Sequence, residues 1–311
     1  MSNCGKFWTG YINTREACPP AGGARYMYSG DADGVVRKIS PEGAEVWSFA
    51  GHTSWVGIVA VDANGYVYSC SGDNTVRKIS PEGNQIWSFT GHTDDVYGVA
   101  VDADGNVYSV GDDLTVRKIS PAGSQIWSFT GHTRYIIDVA VGAGGYVYSG
   151  GGDNTVRKIS PEGAEVWSFT GHERNVYSVA VDADGYVYSG AVDNTARKID
   201  PNGNEVWSFT GHTASVSRVA VDADGYVYSG SNDNTVRKID PNGNEVWSFT
   251  GHTDNVYNLA VDPEGYLYSA SRDDSIRKID PNGNEVWSIT WHTSGVYGVA
   301  VDPGLYGAGF W

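Results

Sequence analysis

The sequence predicts an all-β, seven-bladed β-propeller of four-stranded antiparallel blades. Three observations carry this: a 40-residue unit recurs seven times without a slip, each unit holds four short strand-forming runs, and the 3.6-residue apolar period of a helix is absent. The phase is marked by Gly51-His52, Gly91-His92, Gly131-His132, Gly171-His172, Gly211-His212 and Gly251-His252, with Trp291-His292 as an altered seventh copy. Arg-Lys repeats in the same phase from Arg37-Lys38 to Arg277-Lys278, and a Trp closes each unit from Trp47 to Trp287.

Within one unit the runs 96–101, 106–109, 115–119 and 125–129 are rich in β-branched and aromatic residues, the composition of strands. Between them lie Asp102-Ala103-Asp104-Gly105, Gly111-Asp112-Asp113 and Ser120-Pro121-Ala122-Gly123. These are turns, because Gly supplies positive φ and Pro presets φ near about −65°. So short a sheet cannot bury two apolar faces alone, and stacking around an axis covers both while leaving only short edges.

Counting strands gives the blade number and the closure. The second, third and fourth strands occur seven times, beginning at 25–29, 35–39 and 45–49, and the first strand also occurs seven times, ending at 296–301. The last strand is therefore expected to complete the first blade and tie the two ends of the ring together. The expected organisation is an arm over 1–24, a propeller over 25–302 and a tail over 303–311.

The repeats resemble the WD40 family over residues 25–302: Gly-His, a Ser-x-x-x-Asp segment such as Ser229 to Asp233, and Val-Arg-x-hydrophobic-Asp all stand in phase. The third-strand Trp of that family is replaced by Ile39, Ile79, Ile119, Ile159, Ile199, Ile239 and Ile279. The Asp that follows it survives only as Asp200, Asp240 and Asp280. Strands three and four, as in Lys238-Ile239-Asp240-Pro241-Asn242-Gly243 and on to Trp247, are equally similar to NHL and quinone-enzyme propeller repeats. The resemblance implies that each His bonds the Asp of the turn between strands two and three and a Ser on strand two, as His92 would with Asp113 and Ser109. Lacking the indole donor, that network is expected to be looser than in the family.

A net charge of −16 and a pI near 4.7 argue against nucleic acid or an anionic membrane as partner, since phosphate affinity needs clustered Lys and Arg. Fourteen of the 21 cations belong to the Arg-Lys pair, which reads as a structural ring. No apolar run reaches bilayer length, and residues 1–24 lack the charged and apolar regions of a secretory signal. The expectation is a cytoplasmic protein, or part of a particle released without a leader. Cys70 occupies a position that is Gly, Ala or Val in the other units and is expected to be a small buried thiol. Cys4 and Cys18 leave a disulfide open, depending on the compartment.

No residue set points to catalysis. The seven His read as structural partners, not metal ligands, and Asp-Ala-Asp-Gly reads as a hairpin turn without the further ligands of a calcium loop. Ser, His and Asp recur in every blade, so no triad stands out, and neither a phosphate loop nor a His-Glu-x-x-His motif occurs. Forty residues per unit are spent on strands and tight turns, leaving no long loop for a catalytic constellation. No enzyme activity, metal or cofactor is expected.

Where the units differ, they differ on one rim, because the turns joining strands one to two and three to four are nearly constant. After each Gly-His, and at the start of the next strand, stand Trp55, Asp94, Asp95, Tyr97, Arg134, Tyr135, Arg174, Tyr177, Arg218, Tyr257, Asn258 and Tyr297. Asp112 and Arg272, each before the structural Asp of its unit, belong to the same rim. Together these fourteen residues form the candidate partner-binding set, with cations in blades four to seven opposite the acidic group of blade three. Aromatics and Arg beside separated charge have the composition of an interface. The expected partner is a protein or peptide. One alternative is a glycan stacked on Tyr97, Tyr177, Tyr257 and Tyr297; another is a structural role in a larger assembly such as a virion, tethered by residues 1–24.

Overall fold

A computed structural model describes residues 25–290 and 295–301. Seven four-stranded antiparallel sheets surround a central channel. The innermost strand of each blade is β4 (Val56–Val61), β8 (Val96–Val101), β12 (Ile136–Val141), β16 (Val176–Val181), β20 (Val216–Val221), β24 (Val256–Val261) or β28 (Val296–Val301). Blade one runs β28, β1 (Met27–Asp31), β2 (Val36–Ile39), β3 (Glu45–Phe49), so the last strand closes the ring by pairing Met27 with Val301 and Tyr28 with Ala300. The other six blades are contiguous in sequence, ending at β27 (Glu285–Ile289).

Strand limits follow the expected runs with one regular difference. The second strand of blade three is β9 (Val107–Gly111), starting later and running further than 106–109. Its ladder continues until Gly111 stands opposite Val96, and a Cβ on Gly111 would lie 2.2 Å from the Asp95 carbonyl oxygen. What reads as the first turn residue is a strand end pressed against backbone.

The core lies between blades. Seven apolar clusters fill the seven seams, and in the one between blades two and three Tyr68, Val76 and Phe89 meet Val99, Val107 and Ile119. The Ile that replaces the family Trp is fully buried in each blade, from Ile39 to Ile279. Truncating one to Ala removes about 2–5 kcal/mol of packing. Cys70, also fully buried, directs its Sγ to the Ile58 carbonyl at 3.4 Å, and burial pushes its thiol up to about 12.

Polar ties lock the seams. Trp47 Nε1 donates to the Pro81 carbonyl of the next blade at 2.9 Å, and the bond recurs at each junction through Trp247 and Pro281. The Trp47 ring also covers Gly83, whose φ of +89° and close ring contact (3.1 Å to an added Cβ) leave no room for a side chain. Lys78 Nζ sits 4.4 Å from the Tyr66 ring centroid, and Lys38, Lys158, Lys198, Lys238 and Lys278 repeat the contact, while Lys118, whose unit has Asn106 in place of that Tyr, lies 5.3 Å from the Tyr108 ring; the Lys half of the pair is structural. At the closing seam Arg25 reaches Glu264 through Nε and Nη2, both at 2.9 Å.

One loop face is set by the His network. His92 Nδ1 bonds Asp113 at 2.9 Å and Nε2 bonds Ser109 at 2.7 Å; the same pair of bonds holds His52, His132, His172, His212 and His252. A further donor braces the same network. Arg117 donates from Nε to Thr115 (3.0 Å) and from Nη2 to Asp113 (3.2 Å), and Thr115 bonds Asp113 at 2.7 Å. Burial alone would raise the pKa of Asp113, but bonds from His92, Thr115 and the Thr93 amide hold it well below the carboxylate range. The expected looseness is therefore offset by the guanidinium. His292, the arm with Cys4 and Cys18, and the tail 303–311 lie outside the described residues.

The opposite turns carry Asx chemistry. Asp102 Oδ1 accepts from the Asp104 and Asn106 amides at 3.0 and 2.8 Å, while Oδ2 accepts from Tyr108 at 2.9 Å. Among the described residues no group of three or more His, Cys, Asp or Glu is arranged to hold a metal ion, and no helix is long and apolar enough to cross a membrane.

Candidate functional site

Seven bulges build the site. Each innermost strand breaks register near its start: Val96 pairs with Gly111 and Gly98 with Val110, which leaves Tyr97 unpaired. The same break frees Ile137, Tyr177, Ser217, Tyr257 and Tyr297, and in blade two both Gly57 and Ile58. A bulge re-aims the extra residue out of the ladder. Here every freed residue lines a single funnel of about 610 Å³ at the channel mouth. Below it the channel narrows to a void of about 40 Å³ walled largely by Val and Ala, including Ala60, Val99, Val139 and Ala180.

Of the fourteen candidate residues, Trp55, Tyr97, Tyr177, Arg218, Tyr257, Asn258 and Tyr297 line this funnel. Asp94, Asp95, Asp112, Arg134, Tyr135, Arg174 and Arg272 stand outside it, on the loops of the same face. The funnel wall also includes Ala32, Gly57, Ile58, Ile137, Ser217, Asn232 and Asn255, which composition did not single out. A signal for them existed: all occupy positions that vary between units.

Four of the aromatic rings are paired. Trp55 stacks on Tyr97 (centroids 5.5 Å apart, planes at 16°), and Tyr257 meets Tyr297 at 5.2 Å. Trp55 also lies over Gly72, where a Cβ would fall 2.5 Å from its Nε1, and Tyr135 lies over Gly152 in the same way at 2.8 Å. Trp55 and Tyr135 are thus each seated by a glycine at the variable position before the structural Asp. Asn175 Nδ2 donates to the Tyr135 hydroxyl at 2.6 Å, and Ser217 donates to Asn232 at 2.8 Å.

Charge is arranged unevenly. Burial raises Asp95, with Asp94 and Asp112 adding to the effect, and burial together with Asp112 pushes Tyr97 up to about 12. Arg134 and Arg174 are exposed, and Arg272, 61% exposed, stands 3.8 Å from Asp254. Arg218 differs from the other three. Its Nη1 lies 2.7 Å from Oδ2 of Asp138, which is only 1% exposed, so it is a buried ion-pair member inside the mouth and not a free rim cation. Asp138 also accepts from Ser178 (3.0 Å) and from the Val139 and Val179 amides. Asp138, Ser178, Arg218 and Asn258 share one position on four successive inner strands and form a polar arc; Ile58, Gly98 and Gly298 complete the ring.

Residues 32–135 and 112–247 match the family model described as outer membrane protein assembly factor BamB. Residues 243–280 match the one described as WD domain, G-beta repeat. No individual curated protein matches the chain.

Proposed function

The chain belongs to the β-propeller family whose model is described as outer membrane protein assembly factor BamB, with a WD40 repeat in its sixth and seventh units, and from that premise we propose a non-catalytic interaction propeller that grips one protein or peptide through its channel mouth. WD40 propellers are generally interaction platforms without catalysis, which supports this class.

The observation that supports the mouth is the ring of seven bulges. It turns the divergent residue of every blade into one funnel, while the repeated residues are spent on seams and networks. A single asymmetric site suits one shaped partner better than several equal ones. A glycan platform repeated around the ring would use equivalent open rings. Two of the mouth rings are instead stacked on each other, and Ile137 and Ser217 stand where two others would be needed.

Selection of peptides from a displayed library on the intact chain tests this reading. Selected peptides should bind a Tyr177→Ala/Tyr257→Ala variant about ten-fold or more weakly at unchanged melting temperature. Equal affinity for both proteins would overturn it.

A further inference from the structure

We infer that the mouth is built to hold one primary carboxamide, the side chain of a glutamine or asparagine in the bound peptide, between Arg218 and Asn258. This rests on the peptide-binding reading above and names what that peptide must carry.

Among the described residues, two buried polar atoms at this spot lack a partner: Nε of Arg218 and Oδ1 of Asn258. Both residues line the funnel, and Asn258 is only 2% exposed. Their remaining bonds define what is on offer. Arg218 Nη1 is committed to Asp138 at 2.7 Å. Asn258 Nδ2 donates to the Tyr297 carbonyl at 3.2 Å, which fixes the orientation of the amide and leaves its oxygen as the open atom. The two residues occupy equivalent positions on the neighbouring strands β20 and β24. The site therefore leaves one buried donor atom and one buried acceptor atom unmet, within a wall that includes Ile58, Ile137, Tyr177 and Tyr257.

Unmet hydrogen-bond groups select the ligand that meets them and reject the isostere that does not. A carboxylate accepts from Arg218 but sets an oxygen against Oδ1 of Asn258, and the Arg218 charge it would answer is already matched by Asp138. An ammonium group satisfies Asn258 and leaves Nε of Arg218 unmet beside a second cation. A carboxamide carries an acceptor and a donor side by side and answers both. Its alkyl stem lies against the apolar wall.

The test titrates the intact chain with benzamide, benzoate, benzylamine and benzyl alcohol, followed by NMR shifts. Benzamide should bind about ten-fold or more tightly than each of the others. In Asn258→Leu that margin should fall to within about two-fold. Should Asn258→Leu fail to fold, Asn258→Asp replaces it, and there benzylamine should overtake benzamide. No saturable benzamide binding, a ranking led by another probe, or a margin that survives the Asn258 variant would overturn the inference. The peptide selection is separate: peptides that depend on Tyr177 and Tyr257, found alongside no benzamide preference, would sink the carboxamide site and spare the proposed function.

Discussion

Arg218 reaches across two blades to Asp138, its Nη1 2.7 Å from a carboxylate that is 1% exposed. Ser178, on the blade between them, bonds Asp138 at 3.0 Å and accepts from the Val219 amide at 3.1 Å. Three blades that otherwise meet only through neighbouring seams are thereby tied at the channel mouth. Removing one partner strands the other charge in a poorly solvated site. Asp138→Ala should cost about 3–5 kcal/mol, and the Asp138→Leu/Arg218→Met pair much less, because no lone charge remains. Urea denaturation of the three proteins measures this; equal losses would show that the ion pair itself stabilises the ring.

Arg25 and Glu264 close the ring differently, by a two-bond contact near the surface. The bond from Arg25 and its charge hold Glu264 below its ordinary range. Partly solvated pairs contribute little, so Glu264→Gln should cost less than about 1 kcal/mol. Its effect should be local, with faster hydrogen exchange in β1 and β28 and unchanged exchange in β12 and β16. Uniform acceleration around the ring would show that the contact supports the whole fold.

Stability should fall in acid. Asp73, Asp113, Asp153, Asp193, Asp233 and Asp273 are all held below the carboxylate range, since hydrogen bonds from His, Thr or Ser, and backbone outweigh burial. A depressed folded pKa means that the unfolded chain binds more protons in acid. The stabilisation is full above the unfolded value of about 3.9 and drains away as pH drops below it. Asp95, Asp222 and Asp262, raised chiefly by burial, act in the opposite sense but are fewer. The melting temperature should hold steady from neutral pH to about 5 and drop steeply below about 4. A curve that stays flat into that acid range would contradict the network's role.

Leu114 adopts φ +61° at a turn position filled by Asn74, Asn154, Asn194, Asn234 and Asp274 in other blades. Left-handed backbone is costly for a Leu and tolerated by Asn, and this side chain is 36% exposed, so little packing would be lost. Leu114→Asn should stabilise the protein by about 1 kcal/mol, read as a higher urea midpoint. A lower midpoint would mean that the Leu114 side chain makes a contact worth more than the strain.

The sequence made the ring legible because it repeats. Blade number and closure by the strand at 296–301 follow from the phase of the seven copies, and the His92–Asp113–Ser109 bonds follow from the resemblance to WD40 repeats. Repetition is silent about what occurs once. Asp138 and Arg218 lie 80 residues apart, and nothing in either unit says that the third residue of an inner strand faces its counterpart across the channel. Arg218 therefore reads as a rim cation beside Arg174, and Asp138 as mere variation. Ile58, Ile137 and Ser217 read as variable residues of the same face and stay outside the candidate set for a related reason. An apolar or small residue draws no notice until a bulge aims it at a cavity. The Arg117 bonds to Thr115 and Asp113 were equally hidden, since the Arg-Lys pair reads as a structural ring without showing what each Arg holds.

The claim that the divergent mouth is where this propeller binds is tested most directly by a hydrogen-exchange footprint of a display-selected peptide. Protection should concentrate on the mouth segments, around 94–98, 134–138, 174–178 and 254–258. Protection centred instead on the opposite turns, such as 102–105 and 120–123, with the mouth unchanged, would contradict it.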